Sequence, residues 1–283
     1  MECSPIHAAP PGAARYGEGE PMIRSLYSAA AGLLAANVQE GVVADNLANA
    51  QTPGYKARTA EMGTFATLAV VRVQPFSTLL GQAAGGSAPL ARLAGGAIVN
   101  ATAVNWTQGP LTSSGNPLAV AIDGPGFFAV STPGGVRYTR GGDFRLSASG
   151  VLTNPAGDPV LGAGGRPITV PGGDTTGTAA IGPGGAVSAG GRVAGRLGVF
   201  AAPVAALSPA GGGLYALAAG APAPGAQAGA VLRPGYVEGS NVDVIGEMAA
   251  LLSVQQAFSS DANAVQTAGT AMQTAISDVG TVA

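Results

Sequence analysis

Both ends of the chain are long, proline-free and striped with apolar residues, and everything between them is dense in glycine and proline. Residues 22–49 contain no proline, and neither do residues 242–279. Proline inside a helix removes a hydrogen bond and clashes with the preceding turn, so its absence over two such stretches permits two long helices. In the first, Ile23, Leu26, Ala30, Leu33, Asn37, Glu40, Ala44 and Leu47 step by three or four, with polar breaks at Asn37 and Glu40. In the second, Val244, Met248, Leu251, Gln255, Phe258, Ala262, Val265, Gly269, Met272, Ile276 and Val279 alternate steps of four and three. This rhythm predicts a coiled-coil-like seam. At 1.5 Å per residue the helices would run about 40 Å and about 57 Å. Ser240 or Asn241 is the expected N-cap of the second, since both side chains can accept from the first-turn amides. A helix of that length outruns a small domain, so its seam needs partners: first the N-terminal helix, then further copies of the chain.

Between the helices, short runs rich in valine, isoleucine and aromatic residues alternate with turn clusters, as in 118–122, 127–131, 136–139, 144–146, 151–153, 168–170, 193–200 and 214–217. Many short strands at regular spacing predict an all-β domain. The expected fold class is α+β, with N- and C-terminal helices pairing and a β domain inserted between them. The expected boundaries are a disordered extension at 1–21, helix and turn at 22–60, an extended connector at 61–116, the β domain at 117–234 and the C-terminal helix at 235–283. Acids and prolines crowd residues 1–21, which lack the charged-then-apolar pattern of a signal peptide. Met22 therefore stands as an expected alternative start.

The lone histidine is His7 and the lone cysteine Cys3, so the chain beyond residue 21 has neither. Histidine is the usual acid–base group near neutral pH, and zinc sites need histidine or cysteine. No catalytic residue, cofactor or metal site is expected. Asp123, Asp143 and Asp158 each sit beside glycine or proline and read as turn residues. Gly124-Pro125-Gly126 lacks the Gly-Lys-Ser/Thr ending of a phosphate loop and reads as a turn. A net charge of −2 with a single lysine, Lys56, argues against a nucleic-acid surface. No apolar run is long enough to insert in a membrane as a span.

The first helix runs into Asn46-Leu47-Ala48-Asn49-Ala50-Gln51-Thr52-Pro53-Gly54-Tyr55-Lys56. That block, with Met22-Ile23-Arg24-Ser25-Leu26-Tyr27 before it, resembles the N-terminal signature of bacterial flagellar rod and hook proteins. Asn116-Pro117-Leu118-Ala119-Val120-Ala121-Ile122-Asp123-Gly124-Pro125-Gly126-Phe127-Phe128, Tyr138-Thr139-Arg140-Gly141-Gly142-Asp143-Phe144 and Gly235-Tyr236-Val237-Glu238-Gly239-Ser240-Asn241-Val242-Asp243-Val244 are similar to later segments of that family, in order. Ala119 departs from the family's usual aspartate, and residues 171–230 match loosely. The resemblance implies a structural subunit of the basal-body rod, most like a proximal or distal rod protein. It implies a helical homo-oligomer acting as an axial drive shaft, contacts with other rod and hook proteins, and export through the flagellar type III apparatus without a cleaved signal to a periplasm-spanning position. The alternatives are a hook or hook–rod junction subunit and, from another class, a secreted carbohydrate- or peptidoglycan-active β protein.

The residues expected to carry assembly are Leu26, Leu33, Asn46, Leu47, Asn49, Pro53, Gly54 and Tyr55 at the N-terminal end. At the other end they are Ser240, Asn241, Val244, Met248, Leu251, Gln255, Phe258, Val265, Met272 and Ile276. Phe65 and Ala69 fit a short export pattern, an aromatic followed four residues later by a small apolar residue.

Overall fold

The computed structural model describes residues 19–64, 68–70, 91–93, 97–170, 178–227 and 229–280, with side chains left out at 19–25, 64–98 and 278–280. The chain is α+β and divides into two compact units. One comprises Met1–Gly41, Ala60–Thr102 and Leu251–Ala283; the other comprises Val42–Thr59 and Ala103–Ala250.

The first unit contains most of the two helices, α1 (Gly19–Ala48) and α2 (Val244–Gly280). It also contains most of β1 (Arg58–Thr64), which pairs with β4 (Ala97–Val104). Between them lie β2 (Leu68–Val70) and β3 (Ala91–Leu93), antiparallel with Ala69 opposite Arg92. Part of the expected extended connector is therefore sheet.

Each helix buries a stripe that shares one row with the expected stripe and replaces the other. On α1, Leu26, Leu33, Glu40 and Leu47 are half-buried as expected, but the second row is Ala29, Ala36 and Val43, while Ala30, Asn37 and Ala44 are exposed. On α2 Glu247, Leu251, Val254, Asp261, Ala262, Val265, Ala268 and Met272 are buried or half-buried; Val244, Met248, Gln255, Phe258, Gly269 and Ile276 are exposed, so of the expected stripe Leu251, Ala262, Val265 and Met272 turn inward. With 3.6 residues per turn a stripe can extend from a shared row by three residues or by four. Ala36 is buried in preference to Asn37, Val254 to Gln255 and Ala268 to Gly269, but Glu247 is half-buried while Met248 is exposed, so apolar content alone does not select the row. Gln255 and Gly269 are exposed in the single chain. In this unit a Cβ on Gly32 of α1 would overlap the Asp261 carboxylate of α2, so the two helices approach closely there.

The second unit is built on β5 (Leu111–Ser113), β6 (Val120–Asp123), β7 (Phe128–Thr132), β8 (Gly135–Thr139), β9 (Arg145–Leu146) and β10 (Leu152–Thr153). It continues with β11 (Ala180–Ile181), β12 (Ala186–Ala189), β13 (Arg192–Arg196), β14 (Leu207–Gly211), β15 (Leu214–Leu217), β16 (Val231–Pro234) and β17 (Tyr236–Glu238). The largest sheet is antiparallel in the order β14-β15-β8-β7, a second runs β11-β12-β13, and β16 pairs with β6 and β17 with β5. The expected strand at 168–170 does not form; those residues are held through isolated bridges such as Val151 with Thr169.

The segment entering β7 is buried on both faces, which period-two alternation alone does not reveal. Phe128 and Val130 join Val120, Ile122, Phe144, Leu152, Val160 and Val187 in one core. Phe127 and Ala129 join Tyr138, Leu161, Leu207 and Tyr215 in another, closed by Trp106. Trp106 meets Phe127 edge-on at 5.6 Å and Tyr215 at 4.8 Å, and Phe128 meets Phe144 edge-on at 5.2 Å. Each buried ring contributes about 1.5–3 kcal/mol through the apolar area it removes from water.

A buried polar junction at the roots of the helices

The last turns of α1, its exit motif, the lead-in to β5 and the first turns of α2 all belong to the second unit. They meet in a set of buried hydrogen bonds and charges. Asn46 is 1% exposed. Its Nδ2 donates to the Arg58 carbonyl at 2.7 Å and to Glu247 Oε1 at 2.8 Å, and its Oδ1 accepts from the Arg58 amide at 2.8 Å and the Tyr55 hydroxyl at 3.2 Å. One amide side chain thus uses both donors and both acceptor sites, and ties the end of α1 to the start of α2.

Below it lies a charged trio. Lys56 and Glu238 have fully buried side chains and form an ion pair. Arg140 lies on the other carboxylate oxygen at 3.4 Å, donates to the Gly124 carbonyl at 2.8 Å and sits 5.3 Å from the Phe127 ring centroid. Lys56 Nζ also donates to the Thr107 carbonyl at 2.7 Å, and the Gly109 amide donates to Glu238 at 3.1 Å. Buried ions persist only when paired and hydrogen-bonded, and each of these is.

Backbone geometry completes the junction. Gly54 has φ 73, and a Cβ there would overlap the Gly141 nitrogen and the Arg140 carbonyl carbon. Its amide donates to the Glu238 carbonyl at 2.8 Å. Asn241 accepts from the Ala57 amide at 2.7 Å and donates to the Asn105 and Thr107 carbonyls at 2.9 and 3.0 Å. That occupation removes Asn241 from capping, and Ser240 Oγ accepts only from the Val242 amide at 3.3 Å. The residue preceding α2 is Asp243: its carboxylate accepts from the Ile245 amide at 3.2 Å, and its carbonyl from Glu247 N–H at 2.8 Å.

Of the residues expected to carry assembly, Asn46, Gly54, Tyr55 and Asn241 are brought together here and bonded within their own unit. Asn49 caps the end of α1, its side chain donating to the Asp45 carbonyl at 2.8 Å, and Pro53 sits in the turn after it. Leu26, Leu33, Leu47, Leu251, Val265 and Met272 are half-buried on the helices; Val244, Met248, Gln255, Phe258 and Ile276 are exposed. Phe65 lies outside the described residues, and Ala69 is known only as backbone in β2. Sequence reading missed Arg140, Glu238 and Glu247. One signal pointed to the trio: the only lysine of the chain ends the exit motif.

The aspartates read as turn residues each take a separate partner. Asp123 pairs with Arg233 at 2.9 Å, Asp143 accepts from Asn116 at 2.9 Å, and Asp158 accepts from Asn154 at 2.9 Å. Among the described residues no group of three or more His, Cys, Asp or Glu could hold a metal ion, and no helix is long and apolar enough to cross a membrane.

Burial shapes the alkaline behaviour of the unit. Desolvation raises Tyr55, Tyr138 and Tyr215 above the ordinary 10.0 of a phenol. It lowers Lys56 below 10.5 against the opposing pull of Glu238. The phenols ionise first in the unfolded chain, so their contribution is complete below pH 10.0 and is lost as pH rises through their folded values. Lys56 acts the other way, its burial becoming less costly as pH approaches 10.5. Three phenols against one amine predict cooperative unfolding above about pH 10. Circular dichroism with a phenolate absorbance titration checks this; smooth ionisation with the fold intact would refute it.

In this β unit a set of buried polar groups holds the roots of two long helices, an arrangement suited to a structural protein. Three family models match in order along the chain: "Flagella basal body rod protein" over residues 26–56, "Flagellar hook protein FlgE/F/G D1 domain" over 121–189, and "Flagellar basal body rod FlgEFG protein C-terminal" over 233–278. The flagellar basal-body rod protein FlgF of Caulobacter vibrioides is 32% identical over 242 residues, covering 85% of this chain and 91% of that protein. The rod protein FlgG of Bacillus subtilis is 30% identical over 277 residues, covering 89% and 97%. FlgF of Escherichia coli is 32% identical over 231 residues, covering 78% and 84%. This chain belongs to the flagellar basal-body rod protein family. It is a structural rod subunit of the bacterial flagellum and not an enzyme, which sets aside the reading as a peptidoglycan-active protein. These relatives are named for the rod, so the hook alternative is not favoured.

Proposed function

We propose that this subunit polymerises helically through α1 and α2, pairing as a coiled-coil-like domain, to build part of the axial drive shaft. The observation that supports this most directly is the apolar surface left outside the buried stripes. Leu34 is 71% exposed on α1; Ile245 is 81%, Leu252 61% and Ile276 68% exposed on α2. Tyr27, Val38 and Met248 add to it. Large apolar side chains in such rows on two helices are costly in water and need a covering surface. Further copies of the chain, with other rod and hook proteins at the ends of its segment, supply that cover. The shaft stands across the periplasm, and the subunit reaches it unfolded through the flagellar type III apparatus without a cleaved signal. Phe65 and Ala69 remain our candidates for the export contact.

The relatives also favour one kind of rod subunit. Against FlgF of Caulobacter vibrioides the match runs with nearly one aligned position per residue of this chain. FlgG of Bacillus subtilis needs 277 positions for 89% of it, so FlgG carries residues with no counterpart here. We assign the chain to the FlgF type.

The double variant Ile245→Asp/Leu252→Asp is expected to abolish swimming while changing the stability of the isolated subunit by less than about 1 kcal/mol, since both side chains are exposed. Soft-agar motility and denaturant unfolding measure the two effects, and cryo-electron microscopy of purified basal bodies locates the subunit. Normal swimming by the double variant would overturn the helix-packing mechanism.

A further inference from the structure

The charges of the junction come from three distant places in chain order. Glu238 lies 182 residues after Lys56 and 98 after Arg140. The strands that deliver it also close the unit. β16 lies on β6 and β17 on β5, and among the named strands β5 and β6 have no other sheet partner. Before residues 231–247 dock, therefore, two cations destined for burial lack their carboxylate. Gly54 N–H lacks the Glu238 carbonyl, the Ala57 amide lacks Asn241, and Asn46 lacks Glu247. Each deficit leaves a polar group short of one partner, and they coincide on one segment.

We propose that residues 231–247 are a closing latch that makes folding of the β unit conditional on the C-terminal part of the chain, with Glu238 as the committing group. The residues before the latch supply both hydrophobic clusters almost entirely. They leave unmet polar groups at the junction, so the unit stays open until the latch arrives. Lys56 depends on it more than Arg140 does. The lysine is fully buried and would keep the Thr107 carbonyl as a hydrogen-bond acceptor but no counter-charge, whereas the arginine, slightly exposed, keeps the Gly124 carbonyl and the Phe127 ring. The latch also carries the start of α2, so closing the β unit and seating the second helix root are one event.

The test uses the full-length chain with Glu238→Ala and with Lys56→Met/Glu238→Ala, read by hydrogen–deuterium exchange. Glu238→Ala is expected to lower protection at least about tenfold in β7, β8, β14 and β15, none of which pairs with β17, as well as across 231–247. The near-ultraviolet signal of the Trp106 cluster should fall with it. The double variant, which no longer buries an unpaired ammonium, should regain most of that protection. Loss confined to 231–247 with β7, β8, β14 and β15 unchanged would mean that the segment is only an edge, and would overturn the latch. So would a double variant no better protected than the single one, including the case in which neither folds. If Glu238→Ala cannot be recovered folded and the double variant can, the latch is supported.

Discussion

Gly54→Ala is expected to destabilise the β unit by at least about 3 kcal/mol. Alanine at φ 73 is strained, and its Cβ overlaps backbone atoms of Gly141 and Arg140, which cannot swing aside as a side-chain end would. The bend after β8 that carries Arg140 would have to move, and with it the Glu238 ion pairs. Since small domains hold only about 5–15 kcal/mol in total, such a change removes a large share. Urea unfolding followed by Trp106 fluorescence measures it. A midpoint unchanged from the parent chain would mean that the turn relaxes freely and is no part of the junction. Gly32→Ala makes the contrasting control in the first unit: there the overlapping atoms are the end of the Asp261 side chain, which can rotate away.

Asn46→Asp is expected to cost about 3–5 kcal/mol near neutral pH, although the two side chains have nearly the same shape. The amide nitrogen now donates to the Arg58 carbonyl and to Glu247. A carboxylate cannot donate, and it would place a second negative charge against Glu247. Like charge and burial raise the folded pKa of the introduced carboxyl above its unfolded value. Stability is therefore expected to be highest below the unfolded pKa and to fall as pH rises through the folded one. Denaturant unfolding between about pH 4 and pH 8 checks this. A variant that is equally stable at both ends of that range would show that Asn46 is not the donor its geometry indicates. Had Asn46 served only to bond neighbouring subunits, neither effect would occur in the isolated chain.

Much of the secondary structure was legible in the sequence. Long proline-free stretches imply long helices, and runs separated by glycine and proline imply short strands. The boundaries of α1 and α2 fell within a few residues of expectation because breakers flank them. Which row of each stripe is buried was not legible. Asn37 and Gln255 occupied the expected rows, and the competing rows of Ala36 and Val254 differ from them by one residue, or about 100° around the helix. Only neighbouring surface distinguishes the two. The cap of α2 failed for a related reason. Ser240, Asn241 and Asp243 are all good caps by type, and long-range bonds to Ala57, Asn105 and Thr107 took Asn241 away.

The exit motif shows the same division. Its residues marked the family from the sequence alone, because a helix end followed by Thr-Pro-Gly-Tyr-Lys is a local pattern of types and spacings. Their work was visible only in three dimensions. The four hydrogen bonds of Asn46 to Arg58, Tyr55 and Glu247 are not readable from its type and position, and Lys56 has no evident role until Glu238 and Arg140 arrive from positions 182 and 84 residues on. By itself the sequence determined two helical ends, a β middle, and the absence of histidine and cysteine beyond residue 21. Those follow from local propensity and composition, which act over a few residues. The tertiary structure decided which helix faces are buried, which asparagine binds where, and that the two helix roots are joined through one buried charge cluster. Such choices depend on desolvation and pairing between segments far apart in the chain, and short-range pattern carries no information about either.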